Sequence, residues 1–191
     1  MSKFSLISEN TFKEMQLGAG ILMQTFDPVL ATVSASSILM ATSGGLKFDA
    51  KPTYKDMGED VDNCPKNMAE LKQLEYWDVK MAGTAVTITA ANAKSLMAAA
   101  DVSGEKITPR NNLESADFTD LWWVGDYSDK NDPSNGGFVA IHMMKSLSTG
   151  GFSLQSGDKE KGQFPFEYMA HYTLAEQTKV PFEVYVKAGG V

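Results

Sequence analysis

The chain has one cysteine, Cys64, two histidines, and no apolar run of the roughly 18 residues that a membrane helix requires. A single thiol excludes an intrachain disulfide and points to synthesis in a reducing cytoplasm. Cys64 precedes Pro65 and has no nearby histidine, so it lacks the base of an activated nucleophile and reads as a structural thiol. The longest apolar stretch is broken by polar groups, as in Ser36-Ser37-Ile38-Leu39-Met40-Ala41-Thr42. The opening residues lack a long apolar core and bring an acid early, at Glu9, so no signal peptide is expected. Positive charge is scarce: 17 Lys and Arg face 24 Asp and Glu, for a formal net charge of -7. That disfavours simple phosphate binding, because affinity for nucleic acid comes mainly from Lys and Arg.

Catalytic signatures are equally sparse. Gly44-Gly45, Gly136-Gly137 and Gly150-Gly151 lack the spacing of a phosphate loop, and no GxSxG elbow occurs. Asp126, Asp129, Asn131 and Asp132 resemble a calcium loop only superficially. Counted from Asp129, the sixth position is Ser134 and the twelfth Ala140, where the pattern needs Gly and an acid. His142 and His171 sit in strand-like segments with no second ligand at metal spacing and read as core or interface residues. The alternative is a metal-dependent hydrolase assembled from these histidines by folding. No catalytic residue, metal or cofactor is expected.

What is present reads as β-structure. With 191 residues, 43% hydrophobic and 21% charged, the chain fits one globular domain. Residues 1–17 read as a polar N-terminal arm and 18–191 as the domain. Asp27-Pro28 marks a turn. Residues 38–42 read as a strand, Gly44-Gly45 as a tight hairpin turn, and Leu46, Phe48 and Ala50 then alternate with Lys47, Asp49 and Lys51. Residues 52–65, with two prolines, a glycine and many acids, form a long polar loop. A short helical turn is expected over 67–74 and a long strand over 75–89, with Gly83 as a bulge or bend. Thr89 is positioned to cap a helix spanning about 89–101, with Ala93, Leu96, Met97 and Ala100 on one face and Gly104 beyond its end. Further strands are expected at 120–127, 138–147, 152–156, 163–174 and 182–187, with turn-rich linkers at 128–137 and 157–162. Many short strands suggest a sandwich or barrel.

The order of these features resembles the tail tube (major tail) proteins of long-tailed bacteriophages of Gram-positive hosts. The residues that carry the resemblance begin with Asp27-Pro28, Ala41-Thr42-Ser43-Gly44-Gly45 and the acidic loop from Asp56 to Asn63. It continues through Ile107-Thr108-Pro109-Arg110, Asp117-Phe118-Thr119-Asp120-Leu121-Trp122 and Gly125-Asp126-Tyr127-Ser128. Its most specific part is the end: residues 146–154, 158–162, Ala170-His171-Tyr172 and Val180-Pro181-Phe182-Glu183-Val184. The resemblance implies a mainly β, two-sheet sandwich or barrel flanked by one helix, with a long polar loop. It further implies homohexameric rings that stack into a virion tail tube, assembled in the host cytoplasm.

The implied partners are other copies of the chain, a tape-measure protein in the lumen, tail terminator and baseplate proteins, and viral DNA in transit; no membrane is implied. A tube alone does not reveal whether a sheath surrounds it. On this reading Lys47, Asp49 and Lys51 are lumen-facing candidates. Asp56, Glu59, Asp60, Asp62 and Asn63 are ring-stacking candidates, and the four acids among them are the expected source of electrostatic repulsion near the ring openings. Trp122, Trp123 and Tyr127 are interface candidates, with one tryptophan in the core and the other between subunits. The rival reading is a monomeric β-sandwich binding module for carbohydrate or a host surface, using those three aromatics as an exposed platform.

Overall fold

The computed structural model describes residue 11 and residues 14–127 and 137–188. The fold is mainly β and antiparallel, with one flanking helix. The strands are β1 (Gln16–Met23), β2 (Ile38–Met40), β3 (Thr42–Asp56), β4 (Lys72–Ala85), β5 (Ala100–Ser103), β6 (Lys106–Pro109), β7 (Thr119–Tyr127), β8 (Gly137–Ser148), β9 (Phe164–Met169) and β10 (Phe182–Lys187). The helix, α1, spans Ala90–Met97. β1 begins at Gln16, just inside the segment read as an arm; residues 1–10, 12 and 13 lie outside the described residues, as does the turn-rich 128–136.

One continuous path runs β2-β1-β7-β8-β9-β4-β3, and β10 adds to β8. β8 joins the two halves. Its residues 138–143 pair with β10, while Leu147 and Ser148 pair with β9. Between them Lys145 has φ 48°, and the β7–β8 register shifts at the same place. A bulge of this kind lets a strand turn from one sheet into the other.

The main core fills the space between the sheets: Leu22, Met40, Val79, Met81, Leu121, Met143, Phe164, Phe166 and Tyr168, closed by Leu96 of α1. Each large side chain buried there contributes about 1.5–3 kcal/mol. A second cluster, with Met23, Phe26, Trp122, Val124, Phe138 and Ala140, lies on the opposite face of β7 and β8. These central strands are therefore covered on both sides, which is why they read as nearly unbroken apolar runs.

Several sequence expectations are corrected. Gly44-Gly45 is not a hairpin turn. Both glycines have positive φ, 78° and 82°, and form a bulge inside β3, opposite the stretch of β4 that holds Gly83. The preceding strand, β2, pairs with β1, so the partner of residues 46–51 is β4. The loop after it starts later than expected, because residues 52–56 remain in β3. Pro52 is accommodated because β3 is an edge strand. The helical turn shrinks to a 3-10 segment at Ala69–Leu71 before β4 begins.

Thr89 caps α1 as expected, its Oγ1 accepting the Asn92 amide at 3.2 Å. The helix stops at Met97, where Ala98 turns to φ 61°, and Ala100 enters a β5–β6 hairpin that the sequence reading missed. That hairpin is anchored by Arg110, which meets Asp101, Glu114 and the buried Asp117 at 3.0, 3.0 and 2.7 Å. Residues 152–156 form no strand; only an isolated Gln155–Gln163 bridge joins that region to the chain before β9.

Candidate assembly surfaces

The outward face of β3, β4 and β9 is built by period-2 alternation. Leu46, Phe48 and Ala50 pack inward against the core, so Lys47, Asp49 and Lys51 point away from it, as expected. In the register, Asp49 stands opposite Lys80, and Lys51 opposite Asp78; Ala82 lies between Lys47 and Glu167. Charge therefore alternates both along and across the strands. Lys47 Nζ lies 2.6 Å from Asp49 Oδ2, and Lys80 Nζ lies 4.0 Å from Asp78 and 3.9 Å from Glu167. The hydrogen bond from Lys47 holds the Asp49 carboxyl below its ordinary range. From Lys47 to Lys51 and across to Glu167, three lysines face three carboxylates, so this patch is balanced although the chain carries -7; farther along β3, Lys55 stands opposite Gln73. Exposed pairs of this kind contribute little to stability; their effect is on the field outside. Asp78, Lys80 and Glu167 were missed as site residues, although the alternation of Asp78 and Lys80 with Trp77, Val79 and Met81 carried the signal.

The ring-stacking candidates divide into two kinds. Asp56 closes the neck of the β3–β4 connection: its carboxylate accepts the amides of Gly58 at 3.0 Å and Asn67 at 3.1 Å, with Lys72 at 3.6 Å. The Gly58 bond, with Asn67 and Lys72 adding to it, lowers its pKa. Asp56 is thus an organiser of the loop rather than a free surface acid. Glu59, Asp60, Asp62 and Asn63 are exposed on the tip, Asn63 with φ 60°.

The paired tryptophans point to opposite faces. Trp122 is buried in the second cluster and stacks on His142 with ring centroids 4.0 Å apart and planes within 7°. Trp123 packs partly buried against the main core; its Nε1 donates to the Ala19 carbonyl at 3.0 Å, close above Gly20 and Gly125. The two indoles do not form an exposed platform. The side chain of Tyr127 lies outside the described residues.

His142 and His171 line one cleft of about 360 Å³ together with Asp120, Glu183 and Tyr185. His142 Nε2 is 3.1 Å from Asp120 Oδ2, and its Nδ1 is 3.9 Å from Glu183 Oε2. Tyr185 donates to Glu183 at 2.5 Å, which raises the phenol pKa. His171 donates through Nδ1 to the Lys145 carbonyl at 3.1 Å. Among the described residues no three His, Cys, Asp or Glu are grouped so that they could hold a metal ion, and no helix is long and apolar enough to cross a membrane. No family model and no curated protein matches the chain.

Proposed function

We propose that this chain is a structural subunit that forms homohexameric rings stacking into a phage-type tail tube, through which a tape-measure protein is held and DNA later passes. The observation that carries the reading is the charge-balanced patch of Lys47, Asp49 and Lys51 on β3, Asp78 and Lys80 on β4 and Glu167 on β9. A protein that conducts a polyanion needs a wall that offers phosphates few uncompensated lysines, and Lys47, Lys51 and Lys80 each have a carboxylate neighbour along or across the strands. The open edges support the same reading. Among the described strands β3 pairs only with β4, and β10 only with β8. Unpaired edges invite aggregation unless assembly uses them. With about four inner strands from each of about six subunits, spaced near 4.8 Å and tilted near 40°, a closed barrel is roughly 45–50 Å across its backbone. A duplex fits inside it.

Tail terminator and baseplate proteins would bind the two ends of such a tube. The test is negative-stain electron microscopy of the purified protein over a concentration series, with sedimentation alongside. Tubes of uniform width are expected. A strict monomer at high concentration in every salt condition sinks the reading and favours the binding module.

A further inference from the structure

The face of β7, β8 and β10 that carries the second cluster ends in a polar row. In the register Trp122 stands opposite His142, and His142 opposite Glu183. The imidazole thus has an indole stacked on it from β7 and a carboxylate beside it from β10, and its side chain is only 14% exposed. The 3.1 Å contact with Asp120 places the hydrogen of the neutral ring on Nε2. Nδ1 then presents a lone pair towards Glu183 Oε2, which is 3.9 Å away and too far for a direct hydrogen bond. That oxygen already accepts from Tyr185 and keeps acceptor capacity. Two acceptors facing each other across such a gap are satisfied together by a third group that donates to both.

We propose that the cleft above this row binds a primary ammonium group carried on an aliphatic stem, donating to His142 Nδ1 and Glu183 together. His142 and Glu183 both line the cleft, whose volume of about 360 Å³ falls within the range of about 300–1,000 Å³ typical of small-molecule sites. A hydroxyl has one hydrogen and cannot serve both acceptors, whereas an ammonium has three and a charge. The charge balance favours the cation. Lys179 is paired with Glu176 at 3.9 Å, and Lys145 is exposed and shared with a neighbouring cleft. Asp120 and Glu183 against Lys145 leave an excess of one negative charge. The rings of Trp122 and Tyr185, 5.7 Å apart, add an aromatic wall of the kind that attracts cations. Pro28, Met144 and Pro181 supply the apolar lining on which a stem rests. The inference stands apart from the assembly reading, because every group it uses belongs to one copy of the chain.

Calorimetric titration of the purified chain with n-pentylamine tests this at neutral pH, where an aliphatic amine is protonated, with n-pentanol as the neutral control of equal length. Saturable binding of one amine per chain is expected, and none of the alcohol. Glu183→Gln keeps an acceptor for Tyr185 but removes the charge, and should weaken the amine at least tenfold. His142→Phe keeps a ring to stack on Trp122 but removes the acceptor, and should weaken it several-fold. Both variants are expected to retain the wild-type circular dichroism spectrum. A third titrant, Nα-acetyl-lysine methylamide, separates the two sources of such a group: tighter binding than pentylamine assigns the cleft to a lysine side chain of a protein, weaker binding to a free amine. No saturable heat with either amine, equal binding of amine and alcohol, or wild-type affinity in both folded variants overturns the proposal. The wild-type comparison of amine with alcohol decides the matter even if the variants fail to fold.

Discussion

Tyr168 is the residue whose environment is most plainly converted into a measurable quantity. It is 2% exposed, its hydroxyl shares a 2.7 Å hydrogen bond with Ser95, and burial pushes its phenol up to about 12. The folded chain therefore keeps a proton that the unfolded chain loses near pH 10. The stabilisation is complete below that point and is lost as pH rises from 10 towards 12, by on the order of 2–3 kcal/mol. Urea unfolding across this range is expected to show the decline, and Tyr168→Phe to abolish that share of it at a cost of about 1 kcal/mol at neutral pH. Asp56 runs the other way. Its lowered pKa means that its contribution is present above the ordinary carboxylate range and disappears as pH falls through it. Asp56→Asn is expected to speed amide exchange at Gly58 and Asn67 at neutral pH, as acid does in the wild type. Changing Glu59, Asp60 and Asp62 to amides should shift stability by no more than about 0.5 kcal/mol. A monomer with unchanged exchange at the neck after Asp56→Asn contradicts this assignment. The cap at Thr89 was legible because its partner is three residues away. The role of Asp56 was not, because Asn67 and Lys72 reach it only across the loop it organises. The same holds for Arg110, the only arginine in the chain, whose partner Asp101 comes close only through the unanticipated β5–β6 hairpin.

Glycines separate the elements that were legible from those that were not. Alternation located β10 to the residue, and a nearly unbroken apolar run located β8 almost as closely. A glycine pair carries two meanings: Gly44-Gly45 has the backbone freedom of a reversal and of a bulge, and the choice depends on which strand is across the sheet. Short hairpins with little apolar content, such as β5–β6, leave no periodic signal at all. The glycines also differ in what replacing them would do. At Gly20, with φ 71°, an added Cβ would sit 2.3 Å from Trp123 Nε1, against an indole fixed by its bond to Ala19. At Gly44 the same atom meets open space. Gly20→Ala is expected to cost about 3 kcal/mol or more, combining left-handed strain with overpacking. Gly44→Ala should cost about 1–2 kcal/mol from strain alone. Thermal unfolding of both variants checks the ranking, and equal losses would mean that Trp123 yields.

For the whole molecule, the mainly β sandwich with one helix was readable, and the route by which its sheets connect was not. The assembly reading makes a further prediction about charge. Asp49→Asn, Asp78→Asn and Glu167→Gln together leave Lys47, Lys51 and Lys80 without their acidic neighbours. Assembled wild-type protein is expected to retain no duplex DNA at low salt, whereas the triple variant should retain it and release it as salt rises. Retention by neither would show that this face does not meet the nucleic acid. The strand that belongs to both sheets has a consequence of its own. Amides at the centre of β8 lie between β7 on one side and β10 or β9 on the other, so neither half of the molecule can open without breaking bonds to the same strand. The slowest hydrogen exchange should therefore fall along β8, including the residues flanking Lys145, at a rate set by global unfolding rather than by the fraying of either sheet.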